Sequence, residues 1–285
     1  MELLNSPLVA SILSGLSFIA LYVFIFFLAK WMKGLLSSFN LDEQLTEKDN
    51  VAVAVSVSGY FIGITLIFAG ALSGPSADSL GMDLLVVGAY ALGGIVLLNL
   101  SRVVNDKLIL YKFSLTKEII EDQNPGTGVV EAAAYIASAL IIAGSIHGEG
   151  GGIMTTLVFY AIGQACLVLF GLLYARLTPY SVHDEIEQDN LAAGLGFSGG
   201  LIAIAIILMR AVSGDFVSWG EDLVAVGIDV SIIFVYLIGV RLIFDRFVLR
   251  NSDLMTEISK DRNVGAGLLE MVVAICFSLV LFFVM

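Results

Sequence analysis

Three stretches of this chain, Leu8–Ala29, Val51–Leu72 and Ile153–Ala175, contain no charged residue. Each exceeds the ~18 apolar residues that mark a membrane-spanning helix. Runs of that length admit few folds, because a backbone crossing hydrocarbon must satisfy its hydrogen bonds within a helix or a closed barrel. Composition agrees: 58% of the residues are hydrophobic and 14% are charged, too few charges to solvate a soluble domain, where about 25% is usual. The formal charge of −12, from 14 basic and 26 acidic residues, argues against nucleic acid as a partner.

An internal repeat organises the chain. Four times an acidic stretch runs into an asparagine that opens an apolar segment: LDEQLTEKDN at Asn50, LTKEIIEDQN at Asn124, YSVHDEIEQDN at Asn190 and LMTEISKDRN at Asn263. Each unit reads as a spanning helix, a polar linker helix and a second spanning helix. A longer period lies above it. Asp83, Gly88, Arg102, Asp106, Gly126, Gly128 and Glu131 recur as Asp222, Gly227, Arg241, Asp245, Gly265, Gly267 and Glu270. The expected fold is therefore an all-α membrane protein. About eight transmembrane helices form two tandem four-helix halves, 1–150 and 151–285, joined by short amphipathic cytoplasmic linker helices. The spans are expected near 8–29, 51–72, 84–101, 129–146, 153–175, 191–209, 223–240 and 264–285. The third and seventh should run on past the bilayer, closing with the i,i+4 pairs Arg102–Asp106 and Arg241–Asp245.

Charge sets the expected orientation. Of the 14 Lys and Arg residues, only Arg210 falls on the side away from the linkers. The positive-inside rule then places the linkers in the cytoplasm and, with an even number of spans, both termini outside. No basic residue precedes the first apolar run, and Lys30, Trp31 and Lys33 follow it. The run reads as a retained span rather than a signal peptide.

Several residue patterns carry chemistry. Asn50, Asn124, Asn190 and Asn263 sit where a side-chain oxygen would accept from the orphan N–H groups of a helix start, and Pro125 follows as a favoured first residue. The linkers have apolar residues at helical spacing, such as Leu115 with Ile119 and Val182 with Ile186. Their other face is acidic, suited to solvent, a cation or a basic cytoplasmic protein partner. Gly194, Gly196 and Gly199 match the dinucleotide fingerprint by letter, yet no strand precedes them. Small residues that let membrane helices approach closely explain them better. Ser198 lies in a GxSG of the kind used by intramembrane proteases, but no histidine follows it to act as the base. Cys166 and Cys276 read as free core thiols. No histidine–carboxylate or cysteine spacing suits a metal, no cofactor is implied, and no constellation points to an enzyme.

The acids inside the spans are the most informative. Glu131 and Glu270 each lie seven residues past an asparagine, ~10 Å along the helix. Asp229 lies within the seventh span, where the first half has Tyr90. A mid-helix carboxylate costs ~2.5–3.5 kcal/mol on insertion scales and often marks an ion or proton pathway, although a hydrogen-bonded carboxyl can also tie helices together.

The unit formed by Glu118-Ile119 with Asn124, Glu185-Ile186 with Asn190 and Glu257-Ile258 with Asn263 resembles the tandem two-helix repeat of the YjfL-like bacterial inner-membrane family, domain of unknown function 350. The first copy departs from it, with Gln44 in place of the acid. The resemblance implies a multi-pass bacterial inner-membrane protein, often associated with envelope stress, and supplies no catalytic residues. From the intramembrane acids, the leading functional expectation is a small-cation or proton transporter or channel; the alternative, from the acidic linkers, is a membrane scaffold docking a cytoplasmic partner. The charge asymmetry makes a direct prediction about orientation. With Cys166 and Cys276 removed, single cysteines at positions 76 and 150 should react with an impermeant thiol reagent in intact cells. Cysteines at 48, 117 and 260 should not, and labelling at 48 but not at 76 would reverse the topology.

Overall fold

The computed structural model describes residues 7–243 and 253–285. Among the described residues there are twelve helices. Eight are long: α1 (Pro7–Leu36), α3 (Val51–Leu72), α4 (Leu80–Leu108), α6 (Pro125–Ile146), α7 (Ile153–Leu177), α9 (Leu191–Val212), α10 (Trp219–Ile243) and α12 (Val264–Val284). Over their described residues, α1, α3, α4, α6, α7, α9 and α12 are each long and apolar enough to cross a membrane. The other four are the linker helices α2 (Leu41–Thr46), α5 (Leu115–Ile120), α8 (Val182–Glu187) and α11 (Leu254–Ser259). The fold is all-α, as the hydrophobic pattern requires. Its long helices outrun the expected spans mainly at the ends, most of all α4, from Leu80 to Leu108, and α1, which continues to Leu36.

Each linker passes into the next long helix by the same joint. The residue before the asparagine has a left-handed backbone, with φ of 47° at Asp49, 52° at Gln123, 62° at Asp189 and 49° at Arg262. The asparagine N–H then reaches back to a carbonyl five or six residues earlier: Asn50 to Gln44 at 3.0 Å, Asn124 to Glu118 at 2.9 Å, Asn190 to Glu185 at 3.0 Å and Asn263 to Glu257 at 2.8 Å. This is a Schellman-type close of the linker helix. One residue on, the asparagine Oδ1 accepts the backbone N–H three residues ahead, from Val53, Thr127, Ala193 and Ala266 in turn, and so starts the long helix.

The asparagine amide also joins neighbouring units. Its Nδ2 donates to the linker residue of its own unit: Gln44 at 2.9 Å, Glu118 at 3.0 Å, Glu185 at 2.8 Å and Glu257 at 2.7 Å. In the first three units it donates as well to a carbonyl of the following linker: Asn50 to Ile119 at 2.8 Å, Asn124 to Ile186 at 2.6 Å and Asn190 to Ile258 at 2.8 Å. The Glu-Ile-…-Asn pattern thus has a mechanical meaning. The acid holds its own asparagine, and the isoleucine carbonyl receives the preceding one. Gln44 departs from the pattern in charge only, since its amide oxygen accepts the same bond. The apolar linker side chains face inward: Leu115, Ile119, Val182, Ile186, Leu254 and Ile258 are all buried.

Because this ladder gathers the four linkers at one end, α3, α6, α9 and α12 start together and run parallel, packed in that order as a row. The first helices of the units flank them. Contacts along the row fall at fixed distances from the asparagine. The residue two past it meets the residue four past it in the next unit: a side chain at Gly128 would stand 2.6 Å from the Ala52 carbonyl oxygen, and one at Gly194 2.8 Å from that of Gly126. Gly267 closes on Ala192 in the same way. Twenty past meets nineteen past, Gly70 against Ala143 and Gly144 against Met209. Nine past meets eight past, Gly59 against Ala132 and Gly199 against Met271. Backbone contact of this kind drives association where lipid removes the hydrophobic difference between packed and unpacked helices. The fingerprint glycines accordingly serve two contacts: Gly194 faces α6, whereas Gly196 and Gly199 face α12.

The row ends at α12. There the positions two, nine and twenty past Asn263 are Gly265, Val272 and Phe283, all exposed, with Val272 at 45% and Phe283 at 82%. At two of these three positions a bulky residue stands where α3 has Gly59 and Gly70. At the other end of the row, the face of α3 that would receive a preceding unit carries Ala54, Ser58 and Ala69, of which Ser58 and Ala69 are exposed.

Two further expectations are corrected. Arg102 makes no ion pair with Asp106 among the described residues; it turns across to Glu131, since a buried carboxylate offers a stronger partner than a neighbour one turn along the helix. Asp245 lies outside the described residues, and the Arg241–Asp245 pair with it. Cys276 is exposed on α12 rather than in the core, and Cys166 is half-buried; both are free.

The ladder predicts unequal costs for removing equivalent asparagines. Asn124→Ala loses the cap and two buried amide bonds, about 2 kcal/mol, whereas Asn263→Ala loses the cap and one exposed bond, about 1 kcal/mol. Reversible unfolding in mixed micelles measures both, and equal losses would contradict the inter-unit bond.

Candidate functional site

The intramembrane acids occupy equivalent positions in very different surroundings. Glu131 lies on α6, facing α3 and α4, and is 5% exposed. Ser56 donates to its Oε2, and Arg102 Nε donates to its Oε1 at 3.3 Å. Beside it, Lys33 is 2% exposed and donates to the Tyr135 hydroxyl at 2.6 Å. The Lys33 ammonium also lies over the Tyr135 ring at 4.7 Å and the Tyr60 ring at 5.5 Å, within cation–π range. Tyr60 accepts from Asn99 at 3.3 Å and donates to the Ala29 carbonyl at 3.3 Å. Two cations, one carboxylate and two phenols therefore share one pocket inside the bundle.

Further along α6, away from the linkers, a second polar group is buried. Asn105, Ser138 and Gln164 close a ring of hydrogen bonds: Asn105 Nδ2 to Ser138 Oγ at 3.0 Å, Ser138 Oγ to Gln164 Oε1 at 3.1 Å, and Gln164 Nε2 to Asn105 Oδ1 at 2.6 Å. Ser101 and the Tyr160 hydroxyl pair at 2.8 Å nearby. Two small cavities, each about 10 Å³, flank the Glu131–Arg102 pair. One is lined by Lys33, Ser56 and Thr116, the other by Asn105, Asp106 and Tyr135. Each has room for about one water molecule.

Glu270 lies on α12, facing α9 and α7. Tyr174 donates to its Oε1 at 3.4 Å, and its Oε2 fills the space that a side chain at Gly196 would need. Gly196 corresponds to Ser56, Gly200 to Tyr60 and Ala274 to Tyr135, so the second half lacks the serine and both tyrosines that surround Glu131, although Arg241 stands where the first half has Arg102. The two glutamates do not share an interior: α6 and α12 lie on opposite sides of α9. Asp229 makes no hydrogen bond or ion pair among the described residues; Arg210 is its charged neighbour. Arg210 itself donates to the Met285 carbonyl at 3.2 Å. Ser198 is fully buried, and its hydroxyl has no partner among the described residues.

At the linker end, burial pushes the Glu118 carboxyl up, while the hydrogen bond from Asn124 pulls it back down. Hydrogen bonds with Ser181 and Lys112 hold the Asp184 carboxyl below its usual range. His183 is buried and bonds the Ile109 carbonyl through Nε2 at 2.7 Å, which ties α8 to the end of α4.

The sequence position of Lys33 disguises its place in this pocket. Its place after the first apolar run suggests a flanking charge. The signal that it faces inward is the spacing Ile25, Ala29, Lys33, a buried stripe of i,i+4 steps that the lysine completes. Ser56, Tyr60, Asn105, Tyr135, Ser138 and Gln164 carry a weaker signal, as polar atoms scattered through otherwise apolar spans.

A family model described as Domain of Unknown Function (DUF350) matches residues 7–146 and again residues 150–285. Among curated proteins, a UPF0719 transmembrane protein of Aquifex aeolicus is 23% identical over 179 residues, covering 62% of this chain and 64% of that protein. The UPF0719 inner membrane protein YjfL of Escherichia coli is 33% identical over 89 residues, 30% of this chain and 63% of its own length. The UPF0719 transmembrane protein YshE of Bacillus subtilis is 28% identical over 67 residues, 22% of this chain and 50% of its own length. The chain thus spans less than two thirds of the length of these curated relatives. No solved structure matches. With two family matches running through nearly all of its length, the chain belongs to the DUF350 family, as a polytopic membrane protein that carries the domain twice.

Proposed function

We propose that this protein lies in the bacterial inner membrane with its linkers in the cytoplasm and both termini outside, and that it carries protons through its first half. The observation that supports the reading is Glu131, a buried carboxylate placed between two water-sized cavities and bonded to Ser56 and Arg102. An ionisable group at such a place has a high solvation cost unless it is paired, and exchange with a neighbouring water is the chemistry that this arrangement serves. The pocket favours a proton over a metal cation, because both Glu131 oxygens are already bonded to Ser56 and Arg102, and Na⁺ or K⁺ would need a shell of several free oxygen ligands where a proton needs one. Cavities of about 10 Å³ also leave no room for a hydrated ion.

From the linker end the route runs through the first cavity to Glu131, through the second to Asn105, and on to Ser138 and Gln164. On α6 the fully buried Ile141 and Ile142 then separate Ser138 from Ser145, which lines a cavity at the opposite end. A proton crosses only when that apolar layer opens, so the described state is closed at this point. Glu270 has a secondary place, since its surroundings lack the serine, both tyrosines and the lysine.

Purified protein in proteoliposomes under an imposed pH gradient, with valinomycin to clamp the potential, tests this. Wild-type protein should dissipate the gradient, and Glu131→Gln should reduce the flux at least about tenfold with unchanged thermal stability, while Glu270→Gln reduces it less. No flux in the wild type, or full flux in Glu131→Gln, would sink the transport reading. The scaffold reading would then lead. In its favour, Asp42, Glu121, Glu187 and Asp189 are exposed on the linkers, where a basic cytoplasmic partner could reach them.

A further inference from the structure

A second space lies at the end opposite the linkers, apart from Glu131. It is a cavity of about 570 Å³ enclosed by α1, α4, α7 and the loops Ser73–Ser79, His147–Gly152 and Ser213–Ser218. That volume lies within the ~300–1,000 Å³ of typical small-molecule sites. Its walls and its charge are of two kinds. Aromatic rings from three different helices, Phe18 on α1, Tyr90 on α4 and Phe159 on α7, line the apolar part. Two carboxylates, Asp83 and Glu149, line the polar part beside His147, and among the described residues no lysine or arginine does.

The two acids are held differently. Asp83 Oδ1 accepts the Ala77 N–H, which fixes the carboxylate at the start of α4. Glu149 is fixed through its backbone: its N–H donates to Asp215 Oδ1 at 2.7 Å, and its carbonyl accepts the Phe216 N–H at 2.8 Å. The Glu149 side chain, exposed and in no hydrogen bond or ion pair among the described residues, is left to a ligand. The glycine loop allows this packing, since Gly148 and Gly150 have φ of 120° and 76°, values that side-chain-bearing residues rarely adopt.

We infer that this cavity binds a monovalent organic cation with an apolar body, its charge between Asp83 and Glu149 and its body among Phe18, Tyr90 and Phe159. An anion would face two carboxylates with only the His147 ring as a potential cationic partner. A neutral apolar molecule would leave both acids unused. An ammonium or phosphonium gains Coulomb attraction from the acids and cation–π attraction from the ring faces. A free lipophilic amine has this chemistry, and a zwitterionic membrane lipid with an ammonium head shares its cationic group and apolar body.

Equilibrium dialysis of the full chain in dodecyl maltoside reads the preference with two ions of one shape and opposite charge. Tetraphenylphosphonium should bind saturably, and tetraphenylborate should bind at least about tenfold more weakly. Asp83→Asn with Glu149→Gln keeps an acceptor for the Ala77 N–H, removes both charges, and should weaken tetraphenylphosphonium about tenfold. If that double variant melts lower than wild type, Glu149→Gln alone carries the comparison, since its side chain supports nothing in the fold. Equal binding of the two ions, no saturable binding of either, or unchanged affinity in the variants would overturn the site. Displacement of bound tetraphenylphosphonium by dihexanoylphosphatidylethanolamine but not by the phosphatidylglycerol analogue would support the site with a lipid headgroup as occupant. Saturable, charge-selective binding that neither lipid displaces would support it with a free organic cation as occupant.

Discussion

A single side-chain amide holds this architecture in register. Each asparagine at the head of α3, α6 and α9 accepts the first bond of its own helix, donates to the linker behind it and donates to the linker of the next unit. No other side chain could do all three. Aspartate has no donor, serine has a single proton, and glutamine is too long to cap. Each such bond contributes about 1 kcal/mol, but the geometric effect is larger than the energetic one. By fixing neighbouring helix starts at one level, the ladder brings glycine opposite backbone at the same offsets in successive contacts. A shift of one residue would put a side chain where only hydrogen fits.

Much of this was legible in the sequence, and the reason is that the repeat is written in polar and small residues. The asparagines, the Glu-Ile pairs and the glycines stand out against a uniformly apolar background, and the spans follow from length alone. The row itself was not legible, because hydrophobicity is nearly constant around these helices and does not say which face meets which. Nor was the partner of Arg102, since the choice between Asp106 along the helix and Glu131 across it depends on how α4 and α6 face each other. Lys33 shows a third limit. A basic residue after an apolar run is normally a flank, and only the helix running on to Leu36 turns its side chain inward.

The duplicated halves have kept their scaffold and parted in their interiors. Glu131 and Glu270 are both retained, yet Ser56, Tyr60 and Tyr135 around the first have become Gly196, Gly200 and Ala274 around the second. Each of these changes removes volume or a hydrogen-bonding group next to the carboxylate. Tyr174 then approaches from α7 as the neighbour of Glu270, a tyrosine reaching in from a different helix. A single polar device has thus been elaborated in one half and simplified in the other, while the asparagine ladder beneath both is unchanged.

The bulky residues on the outer face of α12 affect how such a chain could lengthen. A unit added after the last helix would meet Val272 and Phe283, where the first two joints offer the small residues Gly59 with Gly70 and Ala133 with Gly144. A unit duplicated in the middle would inherit a matched surface on both sides. Growth by insertion is therefore compatible with this packing and growth by extension is not, so longer descendants of this chain should have their new material between existing units and keep the same final helix.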